Sequence, residues 1–261
     1  MENKKTTARG FRAMKDKDQV IVAISTYDAP TAGFAEAIGV DMILVGDSLG
    51  MAVLGYDSTI PVTLDQSLHH CGAVRRGAPN TFVVGDMPFM TYQTSPGDAM
   101  RNAARYLQEE MLDAVKVEGG LEMEQTISRM VGAGIPVLGH VGLLPQQVLT
   151  AGGYRKAGKT KDEAERVLAD AKAVENAGAF AVVLEGMPSE LAARITAELS
   201  IPTIGIGAGP DCDGQIQVSS DILGLLSFTP KHAKRYADLD KAIVDAFSRY
   251  ALEARTKRFP E

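Results

Sequence analysis

Tryptophan is absent from this chain, and only two cysteines occur in 261 residues. The first absence excludes nothing. The second argues against a disulfide framework: Cys71 and Cys212 are far apart and form no C-x-x-C pair, so they read as free thiols in a reducing cytosol. No apolar run approaches the roughly 20 residues of a membrane span. The N-terminal stretch MENKKTTARGFRAMKDKDQ is charged but has no apolar h-region. It is therefore expected to be a short tail leading into the first strand, not a signal peptide. A basic surplus is also missing. With 27 Lys and Arg against 33 Asp and Glu, the net charge is −6, which argues against a nucleic-acid partner. A dinucleotide fingerprint is missing too, because GIGAG at Gly205 to Gly209 is followed by Pro210 and fails G-x-G-x-x-G.

What is present is a repeated pattern. Apolar content of 45% and charged content of 23% are ordinary for a globular protein. Within that ordinary composition, short Val- and Ile-rich runs recur at 20–26, 41–46, 81–85, 113–118, 136–140, 179–184 and 202–206. Such runs read as strands buried on both faces. An eighth strand is placed within 215–225, where polar residues blur the pattern. Between the runs lie helix-like stretches at 30–38, 64–76, 96–110, 121–131, 160–176 and 189–199. Ser95 before Pro96 is an N-cap signal, and Thr160 with Glu163 has capping-box spacing. Residues 239–258 read as one or two terminal helices. Alternating strand and helix favour a parallel sheet, and the length suits one closed (β/α)8 TIM barrel, which typically takes about 250 residues. No linker interrupts the chain, so residues 1–261 are expected to form a single domain with a short N-terminal tail and C-terminal helices.

The apolar runs end in polar, acidic or Gly-rich steps: Asp47-Ser48, Asp86, Lys116 with Glu118, His140, Glu185, the glycine loop containing Gly207, and Ser25 to Asp28. In a parallel barrel all strand ends point the same way, so these residues are expected on one rim. Any one acid fits equally a strand end that faces solvent or caps a helix. Together, Asp47, Asp86 and Glu118 repel one another unless a cation joins them, and oxygen-only ligands suit Mg²⁺. Lys116 and Glu118 share a face at i, i+2. Lys116 either neutralises a substrate carboxylate or balances the acids. His140 either bonds a substrate oxygen as a neutral imidazole or supports another side chain. Glu185 follows FAVVL, so partial desolvation is expected to make it a usable base near neutrality. The glycine loop reads as a place of close ligand approach. Two long connections, 49–63 and 141–159, read as lids or ligand contacts around Tyr56 and Tyr154.

In order, GDSLGM, TIPVTLDQSLHH, AVRRGAP, GDMPF, VKVEGG, PVLGHVGLLPQ, GGYRKAG and IGIGAGPDCDGQ resemble the ketopantoate hydroxymethyltransferase family over about residues 20–230. The resemblance implies a (β/α)8 barrel that binds Mg²⁺. It also implies transfer of a one-carbon unit from 5,10-methylenetetrahydrofolate to 3-methyl-2-oxobutanoate, giving ketopantoate on the route to pantothenate. It implies further that Asp47, Asp86 and Glu118 are metal-associated, that Asp47, Ser48, Asp86 and Lys116 contact the keto acid, and that Glu185 accepts the proton. A cytoplasmic homodecamer, built as a pentamer of dimers, is implied as well. The chain departs from the family pattern at Gly186 and in IQVSSDILG. A second reading, on a similar barrel, is an Mg²⁺-dependent 2-keto acid lyase or mutase of the phosphoenolpyruvate mutase and isocitrate lyase type, with no folate.

Overall fold

A computed structural model describes residues 5–260. Eight strands close into a parallel barrel in chain order: β1 (Ile21–Ser25), β2 (Met42–Val45), β3 (Phe82–Asp86), β4 (Ala114–Glu118), β5 (Val137–Gly142), β6 (Ala181–Glu185), β7 (Thr203–Ile206) and β8 (Gly214–Val218). The helices are α1 (Ala8–Lys15), α2 (Ala29–Ala37), α3 (Leu49–Ala52), α4 (Leu64–Gly77), α5 (Pro96–Gln108), α6 (Glu124–Gly132), α7 (Val148–Ala151), α8 (Lys161–Asn176), α9 (Ser189–Glu198), α10 (Ser219–Leu223) and α11 (Leu239–Arg255). The expected strands and helices are found within a residue or two of their ends, except that the 121–131 helix begins at Glu124 after a 3-10 turn at Leu121–Met123, and the 239–258 stretch is one helix that ends at Arg255. The eighth strand is shorter and earlier than the 215–225 window, and α10 takes up part of that window. Helix starts follow the sequence signals. Thr63 with Gln66 and Thr160 with Glu163 form reciprocal capping boxes, and the Ser95 hydroxyl accepts from the Asp98 amide.

The chain divides into two compact units, residues 1–216 and 217–261. The first carries the barrel as far as Ile216. In the second, the α10 end is closed by Gly224 in the left-handed conformation, and the single helix α11 has no buried residue.

Period two along each strand sorts side chains into an outer core beneath the helices and an inner core inside the barrel. Ile43, Val45, Val83, Val115, Val117, Val137 and Val182 belong to the outer core. Ala23, Met42, Leu44, Phe82, Val84, Ala114, Leu138, Ala181, Val183, Ile204 and Ile216 fill the interior. Carrying the inward set towards the C-terminal ends changes its chemistry. Phe82 and Val84 lead to Asp86, Ala114 leads to Lys116 and Glu118, Leu138 leads to His140, and Ala181 and Val183 lead to Glu185. The register places Asp86 beside Lys116, Glu118 beside His140, and Gly142 beside Glu185. The interior is thus apolar at one end and ionic at the other.

The N-terminal segment is not a plain tail. Residues 1–4 lie outside the described residues, but 8–15 form α1, whose Phe11 is 1% exposed and joins the inner core. Its ring sits 5.0 Å from Phe82 edge-on and 5.6 Å from Phe180 in a stack. Lys15 pins the helix by donating to Asp213 Oδ2 at 2.8 Å and to the Thr196 carbonyl at 2.9 Å. The helix therefore closes the N-terminal end of the barrel. Phe11→Ala is expected to cost ~3–5 kcal/mol, the usual range for truncating a buried aromatic. Urea unfolding measures it, and a loss under ~1 kcal/mol would contradict the role of a plug.

Candidate active site

Two strands supply the first ionic contact. Asp86 ends β3 and Lys116 lies in register on β4, both facing inward. Lys116 Nζ is 2.9 Å from Asp86 Oδ1, 3.5 Å from Glu118 Oε1 and 3.3 Å from His140 Nδ1. Asp47 enters from the turn after β2, and its amide donates to Asp86 Oδ2 at 2.9 Å. The turn is tight because residue 46 is glycine: a Cβ there would lie 2.8 Å from Ser48 Oγ and 3.1 Å from Ser25 Oγ. Ser48 Oγ in turn pairs with the Tyr27 hydroxyl at 2.8 Å. Asp47, Asp86, Lys116, Glu118 and His140 are all under 5% exposed.

Charges this deeply buried set one another's protonation. Burial raises Asp47 well above the usual carboxylate range, and the charges of Asp86 and Glu118 push it further. Asp86 is also raised by burial, against the pull of Lys116. For Lys116, burial opposes the charge, but Asp86, Glu118 and Asp47 outweigh it and hold the ammonium above its ordinary value. Burial acts upward on Glu118 as well, yet Lys116 and His140 bring it below the usual range. With all three ionised, the buried carboxylates and Glu185 outnumber Lys116 and His140, an excess of negative charge that protons on the raised Asp47 and Asp86 relieve and that a divalent cation would balance in their place. Among the described residues no group of three or more His, Cys, Asp and Glu side chains forms a metal cage. Asp86 accepts from the Asp47 amide and pairs with Lys116, while Glu118 faces Lys116 and His140 and accepts from the Gln146 amide at 3.1 Å.

His140 and Glu185 form the other side. His140 Nδ1 is 3.3 Å from Glu118 Oε1, and its Nε2 is 3.2 Å from Glu185 Oε2. A neutral ring has one N–H for two carboxylates, whereas a protonated ring serves both. Burial and the neighbouring Lys116 disfavour that proton, but Glu118 and Glu185 prevail and raise the value to about 9. The two facing carboxylates thus favour the charged ring, against the ammonium of Lys116 3.3 Å from Nδ1. Glu185 is partly desolvated: its apolar approach, Ala181 to Leu184, lies in the barrel wall, and its own side chain is 20% exposed at the mouth, beside His140.

Sequence reasoning missed Gln146. It belongs to the long 141–159 connection, is 3% exposed, and donates through Nε2 to Asp47 Oδ2 at 2.9 Å and to the Met87 carbonyl at 3.0 Å. Tyr92 fixes the amide by donating to Gln146 Oε1 at 2.7 Å, and its hydroxyl accepts from the Glu118 amide at 3.1 Å. The polar pair after Pro145 was the only signal. The two long connections do meet, since the Tyr154 hydroxyl donates to Met51 Sδ at 3.5 Å. Tyr56 does not join them there; its hydroxyl accepts from Gln66. Gly207 has φ +60° just beyond Ile206, the strand neighbour of Glu185. Gly186 has φ +57°, and a Cβ there would lie 2.9 Å from Leu143 Cβ, which accounts for glycine at this departure from the family pattern. Ser25 is buried, and its hydroxyl has no hydrogen-bond partner among the described residues. Asp28 caps α2.

Residues 5–261 match the family model for ketopantoate hydroxymethyltransferase. The chain belongs to that family. It is 53% identical over 257 residues to 3-methyl-2-oxobutanoate hydroxymethyltransferase of Dehalococcoides mccartyi strain CBDB1, covering 98% of this chain and 92% of the relative. It is 50% identical over 261 residues to the enzyme of that name from Moorella thermoacetica, covering 100% and 97%. Among solved structures it is similar to phosphonopyruvate hydrolase in complex with oxalate and Mg²⁺, with a TM-score of 0.64 and 14% identity over 97% of this chain and 88% of that one. It is also similar to 2,3-dimethylmalate lyase, of the phosphoenolpyruvate mutase and isocitrate lyase superfamily, with a TM-score of 0.63 and 21% identity over 96% and 88%. At those identities the likeness shows the barrel fold and does not favour the lyase reading for this family member.

The raised value of His140 makes a pH prediction. Its contribution to stability is complete below the ordinary histidine value of 6.5 and is lost as pH rises through about 9. In metal-free protein the ring-proton resonance of His140 is expected to titrate near that upper value, and lower in Glu185→Gln. A midpoint close to 6.5 in the unsubstituted protein would contradict the pairing.

Proposed function

We infer that this protein transfers a hydroxymethyl group to 3-methyl-2-oxobutanoate, forming ketopantoate, with 5,10-methylenetetrahydrofolate as the one-carbon donor. The observation that carries this reading is the meeting, at one barrel mouth, of the Asp47–Asp86–Lys116 group with the His140–Glu185 pair, in a chain that matches the family along its described length. A homodecamer, a pentamer of dimers, in the cytoplasm is part of the same proposal. Among the described residues no helix is long and apolar enough to cross a membrane.

The buried surplus of carboxylate fits a divalent cation, for which Mg²⁺ is the proposed species, held by Asp47 and Asp86 with the Glu118 charge nearby. When bound, it supplies Lewis acidity to the oxygens of the keto acid. Lys116 stays protonated among its acids and offers positive charge to the carboxylate and developing enolate of the substrate. Ser48, positioned by Tyr27, offers a hydroxyl on the same side. Glu185, exposed enough to meet substrate, removes the proton from C3. His140 holds one carboxylate oxygen of Glu185 and so fixes its orientation. The methylene carbon leaves both donor nitrogens: opening of the donor to its iminium form breaks the bond to N10, the C3 carbanion forms the carbon–carbon bond, and water cleaves the bond to N5 and supplies the hydroxyl, with the C3 proton and one water proton going to the two nitrogens.

Exchange of the C3 proton of 3-methyl-2-oxobutanoate in D₂O with Mg²⁺, without folate, isolates the first step. The unsubstituted protein is expected to catalyse exchange. Glu185→Gln is expected to lose ~10²–10⁴-fold of it, the usual contribution of a positioned base. Chelation by EDTA is expected to stop it. Undiminished exchange in Glu185→Gln would remove Glu185 from the role of base.

A further inference from the structure

Beside the mouth lies a cleft of about 530 Å³ that the chemistry above does not use. Its inner wall is Gly119 and Gly120, directly after Glu118, and Val141 to Leu144, directly after His140. Its outer wall is residues 153–158 and the first turns of α8. It is continuous with the base. Leu143 donates to the Glu185 carbonyl at 2.8 Å, and Ala157 donates to the Gly186 carbonyl at 2.9 Å. Tyr154 stands between cleft and mouth. It lines the cleft, yet burial and then the charges of Asp47, Glu185 and Glu118 raise its phenol above the ordinary value.

The charges lining this cleft are unequally committed. Glu163 accepts from the Lys159 and Thr160 amides, Asp170 accepts from the Leu121 amide, and Glu122 accepts from the Gly120 amide. Arg155, Lys156 and Arg166 line the same cleft and are exposed; Arg166 acts on the charge of Asp170, and none of the three lies within ion-pair distance of an acid among the described residues. Acids held by backbone amides are fixed in place, while the three cations keep their donors for a ligand. The cleft is therefore suited to an extended molecule that bears carboxylates at one end and places its middle over Tyr154 and Glu185.

We propose that this cleft receives the carboxylate-bearing glutamate arm of the folate donor, with Arg155 and Lys156 as its main anion contacts and Arg166 at the outer end. This rests on the folate reading above. It assigns to the 153–158 segment a role in donor recognition, separate from the keto acid site. Each added glutamate brings a carboxylate, so donors with longer arms bind more tightly as long as these cations are present.

The test compares Arg155→Ala/Lys156→Ala with the unsubstituted protein, using 5,10-methylenetetrahydrofolate with one and with three glutamates. Both side chains are exposed, so folding is expected to be intact. The expected result is a rise of about tenfold in KM for the triglutamate donor, a smaller rise for the monoglutamate, and unchanged KM for the keto acid. The folate-free exchange of the C3 proton is expected to be unchanged. Equal KM values for both donors in variant and unsubstituted protein would overturn the cleft assignment alone. So would a parallel loss of C3 exchange, which marks a structural effect on the base. No folate-dependent product from the unsubstituted protein would overturn the folate reading and the cleft assignment together.

Discussion

Four carboxylates converge on the C-terminal mouth of this barrel, and one ammonium, Lys116, lies among them. The partners of Lys116 are Asp86 on the neighbouring strand β3 and Glu118, two residues along its own strand. The rest of the site is arranged around that contact. Asp86 accepts from the Asp47 amide and so holds the turn after β2. Glu118 holds His140, and His140 holds Glu185. Removing the ammonium would leave adjoining buried carboxylates with one imidazolium between them, an arrangement that costs several kcal/mol unless protons are taken up.

The barrel carries this concentration of charge because its other end is apolar. Phe11, Phe82 and Phe180 close the N-terminal end, and alternate inward residues rise through Met42, Leu44, Val84 and Val183 to the ionic layer. Water is excluded from below, while Glu185 alone keeps partial access above. That division of exposure matches a division of labour. Groups that bind charge are buried, where their interactions are strongest. Glu185, the proposed base, is at the mouth.

Much of this was legible in the sequence. Apolar runs with polar ends located the strands, and the shared direction of parallel strands located Asp47, Asp86, Lys116, Glu118, His140 and Glu185 on one rim. What was not legible depends on contacts between distant segments. An eight-residue helix with one aromatic among charged residues carries too weak a pattern to announce α1, although Phe11 is a core residue. Gln146 is a neutral amide in a long connection, and its importance lies in bonds to Asp47, Met87 and Glu118, which no spacing reveals. The protonation of His140 follows from two carboxylates that face it from β4 and β6. The partial exposure of Glu185 follows from its place one step beyond the packed wall, whereas its contact with His140 depends on the neighbouring strand β5.

Under the proposed function, the buried negative charge at the mouth is left for a divalent cation to balance. Thermal unfolding of the unsubstituted protein and of Asp47→Asn, each with and without Mg²⁺, tests it most directly. Asn keeps an acceptor for Gln146 but removes one charge. Metal-free Asp47→Asn is expected to be more stable than the metal-free unsubstituted protein and to gain little from Mg²⁺, while the unsubstituted protein gains several degrees. A metal-free variant less stable than the unsubstituted protein, with an undiminished gain from Mg²⁺, would contradict it.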